Sequence, residues 1–129
     1  MNAMLVLDSG AVSHLAERSK RAAALILTLR DEGLWPPAIP SVVLVECLQG
    51  DAGRDAETNR FLKTCDVVEE LPESLARRAA QLRRRARKGS AVEALVVAFA
   101  EPAGTVLTSD PEDLGALAQH AHGVLVQRV

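Results

Sequence analysis

Short unbroken apolar runs alternate along this chain with longer segments whose apolar positions recur every three or four residues. Met4-Leu5-Val6-Leu7 is the first run, and it stops at Asp8, Ser9 and Gly10. Such a run reads as a strand buried on both faces. Helices are predicted over 11–17 and 21–29, the second carrying Ala22, Leu25, Ile26 and Leu29 at helical spacing and closed by Gly33. Residues 35–40 are proline-rich and extended, a short strand or its approach. Ser41 suits an N-cap, with a helix over 42–49 ended by Gly50, although the valines there would also suit a strand. A further helix is predicted over 52–63 and a strand over 66–69. Pro72 then opens a helix whose apolar stripe is Leu75, Ala79, Leu82 and Ala86. Gly89 ends it, and Ser90 caps the next helix, 91–101, which is apolar nearly all round and therefore expected at the centre. A strand over 105–108, a helix from Pro111 to about His120 and a strand over 124–127 complete the pattern. Strands alternating with helices imply α/β architecture, a three-layer α/β/α sandwich with a short central parallel sheet.

A length of 129 residues predicts a single domain over 1–129. With 48% apolar and 25% charged residues, the composition excludes disordered and fibrous classes. The longest apolar run, 94–100, is far shorter than the roughly 18 residues a membrane span needs, so none is expected. Asp8 arrives before a signal-peptide core could form, which points to the cytoplasm. Cys47 and Cys65 lack CxxC spacing and read as reduced, small core residues.

The net charge of −2 conceals an asymmetry, because seven of the fifteen basic residues are Arg77, Arg78, Arg83, Arg84, Arg85, Arg87 and Lys88. Such a run is either a solvated helix face or a track for phosphates. The chain has no Tyr, and Trp35, Phe61 and Phe99 are its only aromatic residues of the Phe, Trp and Tyr group, so bases would find little to stack on.

Candidate chemistry lies in carboxylates placed among apolar neighbours. Asp8 ends the first strand, where open parallel sheets bind ligands. Glu46 interrupts Val42-Val43-Leu44-Val45, Glu93 is the one polar side chain in the segment 91–98, and Asp110 ends the strand over 105–109 as Asp8 ends the first. Each has an ordinary reading: Asp8 as an N-cap, Glu93 in a capping box with Ser90, Asp110 as a turn residue before Pro111, Glu46 turned to solvent. Were all four to converge, a pair ~5 Å apart at an effective dielectric of ~20 would repel by about 3 kcal/mol. Six such pairs approach ~20 kcal/mol, above the stability of an ordinary domain, so a cation is expected. Oxygen donors without Cys or His favour Mg²⁺ or Mn²⁺. His120 and His122 lack a third ligand and read as surface residues.

In order, Leu5-Val6-Leu7-Asp8-Ser9, Ser41-Val42-Val43-Leu44-Val45-Glu46-Cys47, Ser90-Ala91-Val92-Glu93-Ala94-Leu95-Val96-Val97-Ala98 and Thr108-Ser109-Asp110-Pro111-Glu112-Asp113-Leu114 resemble the four motifs of PIN-domain ribonucleases. The resemblance covers the whole chain, and its small size is similar to that of VapC-type toxins of bacterial toxin–antitoxin pairs. This implies a PIN-like fold and a metal-dependent endoribonuclease in which Asp8, Glu46, Glu93 and Asp110 hold Mg²⁺ or Mn²⁺, with Asp113 a further candidate ligand. The ions would activate a water and neutralise the leaving oxygen. Ser9 and Thr108 would orient carboxylates, and Arg83, Arg84, Arg85, Arg87 and Lys88 would contact RNA. The resemblance further implies a homodimer silenced by a cognate antitoxin.

One position departs from the pattern: the family's third acid is normally Asp, and here it is Glu93. The added methylene moves the carboxylate by about 1.5 Å, and a misplacement of about 1 Å can cost on the order of a hundredfold in rate. The departure motivates a second reading, a PIN-fold protein that binds RNA or an antitoxin without cutting. A third, phosphoryl transfer through an aspartate nucleophile, calls for another Asp two residues after Asp8, where Gly10 stands.

Overall fold

Strands of three or four residues, each with at least two apolar side chains, are enough here, because every inner strand is paired on both edges. The computed structural model describes residues 4–129, so residues 1–3 of the expected domain lie outside the described residues. The elements are β1 (Leu5–Leu7), α1 (Ser9–Ala16), α2 (Lys20–Asp31), β2 (Ala38–Pro40), a 3-10 turn (Ser41–Val43), α3 (Leu44–Cys47), α4 (Ala56–Leu62), β3 (Asp66–Val68), α5 (Glu73–Ala86), α6 (Ala91–Ala100), β4 (Thr105–Thr108), α7 (Pro111–Ala118) and β5 (Leu125–Arg128). All strand pairs are parallel, in the order β3-β2-β1-β4-β5. Helices α1, α2 and α4 pack together, as do α5, α6 and α7, with α6 lying along β1, β2 and β4. The expected α/β sandwich with a central parallel sheet is the fold observed.

Burial follows the strand order. β1 is buried throughout and β4 nearly so, whereas β3 and β5 at the edges are half-buried or exposed. Val6, Val97, Val106 and Leu114 are completely enclosed, and α6 supplies Ala94, Val96, Val97, Ala98 and Ala100 to the same core, as its all-round apolarity predicts. Truncating Leu7, which is 0% exposed, to Ala would cost about 2–5 kcal/mol on the usual scale for buried leucines.

The strand order contains a switch point. From β1 the chain winds outward through β2 to β3, then returns to pair β4 on the opposite edge of β1. Crevices open where neighbouring connections leave in opposite directions, at the carboxyl ends of the strands. Asp8 stands there, its backbone N–H donating to the Leu107 carbonyl at 3.2 Å and so fixing the end of β1 to β4.

Several boundaries differ from the sequence expectation, each for a local reason. The segment 42–49 is a 3-10 turn followed by one α turn, and Leu48 ends it in an extended conformation. The helix expected over 52–63 begins only at Ala56. Ahead of it the Asp55 carboxylate accepts N–H groups from Gln49 (2.9 Å), Gly50 (2.9 Å) and Asp51 (3.2 Å), folding the preceding loop around a single side chain. Helix α1 starts at Ser9 because Asp8 caps it, and α2 starts at Lys20 because the Ser19 hydroxyl accepts the Ala22 N–H. Among the described residues no helix is long and apolar enough to cross a membrane.

Candidate active site

Asp8 is held by opposed influences. One carboxylate oxygen accepts the Ala11 N–H at 2.9 Å, the N-cap bond of α1, and the other accepts the Thr108 hydroxyl at 2.5 Å. Burial pushes the Asp8 carboxyl above the ordinary aspartate range; the Thr108 and Ala11 bonds pull it down, while the charges of Glu93 and Glu46 push it up again. Thr108, 0% exposed, also accepts the Asp110 N–H at 3.0 Å, so one buried hydroxyl joins the ends of β1 and β4.

A cavity of about 310 Å³ at this switch point is lined by Asp8, Ser9, Gly10, Glu46, Ser90, Val92, Glu93, Val96, Ser109 and Asp110. Four acids far apart in sequence thus share it. Glu46 arrives because β2 runs straight into the 3-10 turn and α3, and Glu93 because it sits in the first turn of α6. Asp110 precedes α7 without capping it through its side chain, which remains exposed. Asp113, one turn into α7, is not among the lining residues, and Ser9 lines the cavity without hydrogen-bonding a carboxylate among the described residues.

The arrangement is looser than the sequence suggests. Among the described residues no three of the His, Cys, Asp and Glu side chains already form a group that could hold a metal ion. The expectation of four carboxylates pressed tightly together is therefore corrected. The physical reason is local: Asp8 is engaged on both oxygens, Glu93 accepts the Ser90 N–H at 2.8 Å in a complete capping box, and Glu46 and Asp110 are exposed, where water spreads their charge.

Sequence reasoning named Ser9 but gave no site role to Gly10, Ser90 or Ser109 of the lining. Ser109 packs so closely over Gly10 that a Cβ at position 10 would run into its side chain. The signal was the absence of a side chain two residues after the first acid, but its partner Ser109 lies in the loop after β4 and cannot be found from local pattern.

Beside the acids lies a recess of opposite charge, lined by Arg83, Arg84, Arg87, Lys88 and Gly89. Arg85 faces elsewhere on the exposed surface of α5. Gly89 borders the basic recess and Ser90 the acidic cavity, so the two sites meet at one peptide bond. Other members of the basic run are paired within the chain. Arg78 grips Glu101 through two 2.8 Å bonds, which hold the Glu101 carboxyl below its usual range, and Arg77 pairs with Glu73.

Remaining candidates are structural. Trp35 packs edge-to-face on Phe61, donates to the Thr64 carbonyl and carries the Arg30 guanidinium over its ring. Cys47 and Cys65 are free and half-buried against the core, and burial pushes the Cys65 thiol up to about 11.

No protein-family model matches the sequence, and no curated protein does. Solved structures do match along nearly the whole chain. A chain of VapBC2 from Rickettsia felis, in a structure bound to a DNA fragment from their promoter, is 14% identical with a TM-score of 0.72, covering 98% of each chain. A chain of a toxin–antitoxin complex from Klebsiella pneumoniae is 19% identical with a TM-score of 0.67, covering 96% of each. A chain of FitAcB from Neisseria gonorrhoeae is 18% identical with a TM-score of 0.61, covering 95% of this chain and 96% of that one. Identities this low carry the architecture rather than the chemistry. The helix-flanked parallel sheet described above is the PIN-like fold.

Proposed function

We propose that this protein is a metal-dependent endoribonuclease that acts as the toxin of a toxin–antitoxin pair in the cytoplasm. The observation that carries the reading is the meeting of an acidic cavity with a basic recess at the Gly89–Ser90 peptide, on the switch point of a PIN-like sheet. Phosphate esters need cations to bind and neutralised oxygens to break, and the two sites offer one requirement each.

The donor set suits a hard divalent cation, since the cavity offers carboxylates and hydroxyls and neither His nor Cys. Asp8, Glu46, Glu93 and Asp110 would hold Mg²⁺ or Mn²⁺. Bound there, the ion supplies an activated water for in-line attack and neutralises the leaving oxygen. Thr108 fixes the Asp8 carboxylate, and the Ala11 N–H fixes its other oxygen. Arg83, Arg84, Arg87 and Lys88 would hold the RNA backbone, with little base stacking to discriminate sequence. An antitoxin partner is supported by the shared fold with chains of toxin–antitoxin complexes; homodimer formation is part of the same proposal.

Purified protein mixed with structured RNAs and Mn²⁺ tests this. Cleavage is expected, and it should stop in excess chelator and in Asp8→Asn. Cutting that survives either change would sink the metal mechanism. A second reading, RNA or antitoxin binding without cutting, is favoured by one observation: the Glu93 carboxylate is already occupied by the capping box. Mn²⁺ binding and RNA affinity without cleavage of several RNAs would select it.

A further inference from the structure

The Glu93 side chain belongs to the acidic cavity yet is bonded to the backbone at the end of the basic turn. It lines the acidic cavity, and its Oε1 accepts the N–H of Ser90, the residue that follows the basic turn. Reciprocally the Ser90 hydroxyl accepts the Glu93 N–H at 3.1 Å. The turn is fixed elsewhere too. Arg87 is left-handed (φ 54), the Gly89 carbonyl accepts from Arg83 Nε at 3.3 Å, and Lys88 pairs with Glu112 at 3.1 Å. Gly89 has φ +93, and a Cβ there would come within 2.6 Å of Leu117 Cδ1. Two cations of the recess, Arg87 and Lys88, therefore stand on the short turn whose end at Ser90 is bonded from the acidic side by Glu93, and Arg83 is tied to that turn through the Gly89 carbonyl.

We propose that Glu93 is a positioning residue for RNA: a strut that sets the basic turn from within the acidic cavity. This gives a reason for glutamate at position 93, and it rests on the nucleic-acid reading above. Aspartate is one methylene, about 1.5 Å, too short to reach the Ser90 N–H without moving the turn. Glutamine reaches it as well as glutamate does, since capping boxes accept either. The strut and a simple charge effect make opposite predictions. If only charge mattered, Glu93→Asp would bind RNA as the unaltered protein does, and Glu93→Gln, with one negative charge fewer, would bind more tightly. A strut makes the aspartate variant the weaker binder although its charge is unchanged.

The experiment measures binding of a short labelled oligouridylate in excess chelator at low salt, together with hydrogen exchange at the Ser90 amide. Glu93→Asp should weaken binding at least about threefold and speed exchange at Ser90 about tenfold, whereas Glu93→Gln should bind no more weakly than the unaltered protein and exchange within about threefold of it. Unchanged exchange in Glu93→Asp overturns the strut. Faster exchange with unaltered affinity overturns its role in RNA binding. If the unaltered protein shows no salt-sensitive binding, the nucleic-acid reading falls together with the role in binding, while the exchange measurement still judges the strut.

Discussion

Asp8 and Asp55 are two carboxylates drawn into the protein at the starts of helices, and their surroundings differ in kind. Asp55, 5% exposed, is ringed by the N–H groups of Gln49, Gly50 and Asp51, which hold its carboxyl below the ordinary range. Asp8 accepts two hydrogen bonds, yet burial, Glu93 and Glu46 leave its carboxyl above that range. Asp55 is buried and Asp8 half-buried, but the first is matched to donors that already exist and the second is left short of positive charge. The first arrangement serves folding. The second is the arrangement that the cation of the proposed function would relieve.

The strongest way to break this contrast is Asp8→Asn. RNA cleavage should fall at least about a hundredfold, while the melting temperature in chelator should rise by on the order of a few degrees, because Asn keeps the cap oxygen and sheds the disfavoured charge. A cleavage assay beside a thermal scan reads both, and a lower melting point would mean that Asp8 is as structural as Asp55. The reciprocal change, Asp55→Ala, leaves three N–H groups without their acceptor and should lower the melting temperature by roughly 5–10 °C. Cleavage per folded molecule should change far less than in Asp8→Asn.

The pH dependence sharpens the comparison with opposite signs. Because the folded Asp55 carboxyl titrates below the ordinary aspartate value of 3.8, its stabilisation is present above that value and is lost only as pH falls through its lower folded one. The folded Asp8 carboxyl titrates above 3.8, so its ionised form is a liability at higher pH that is relieved as pH falls through its raised value. The thermal gain of Asp8→Asn should thus shrink on acidification before the loss of Asp55→Ala does, which parallel melts of the two variants over an acid series would reveal. The smallest expected effect is on the basic side. Arg84→Ala should reduce the salt slope of RNA binding by roughly 0.7–1, one phosphate contact, and Arg85→Ala, outside the recess, should leave it unchanged.

How much of this could be read beforehand depended on whether the signal was local. Leu5-Val6-Leu7 followed by Asp8, and Thr105-Val106-Leu107-Thr108 leading to Asp110, announce strands ending in acids because burial and charge change within one or two residues. Glu93 with Ser90 announces a capping box for the same reason. Asp55 does not, since its donors lie in a loop that resembles the start of a helix until the chain is folded. Nor could the tightness of the acidic group be read: sequence places carboxylates at strand ends, but whether they press together depends on bonds such as Thr108 to Asp8, a hundred residues apart in the chain.

That Thr108 bond has a consequence for how such a centre tolerates change. A single oxygen atom gauges the distance between two aspartates that follow different strands, donating a hydrogen bond to the carboxylate of one and accepting one from the backbone N–H of the other. Serine could keep both fastenings, whereas valine, nearly the same in shape, would undo them together. A residue sealed from solvent, with no view of any substrate, thereby acts as the caliper of the whole centre.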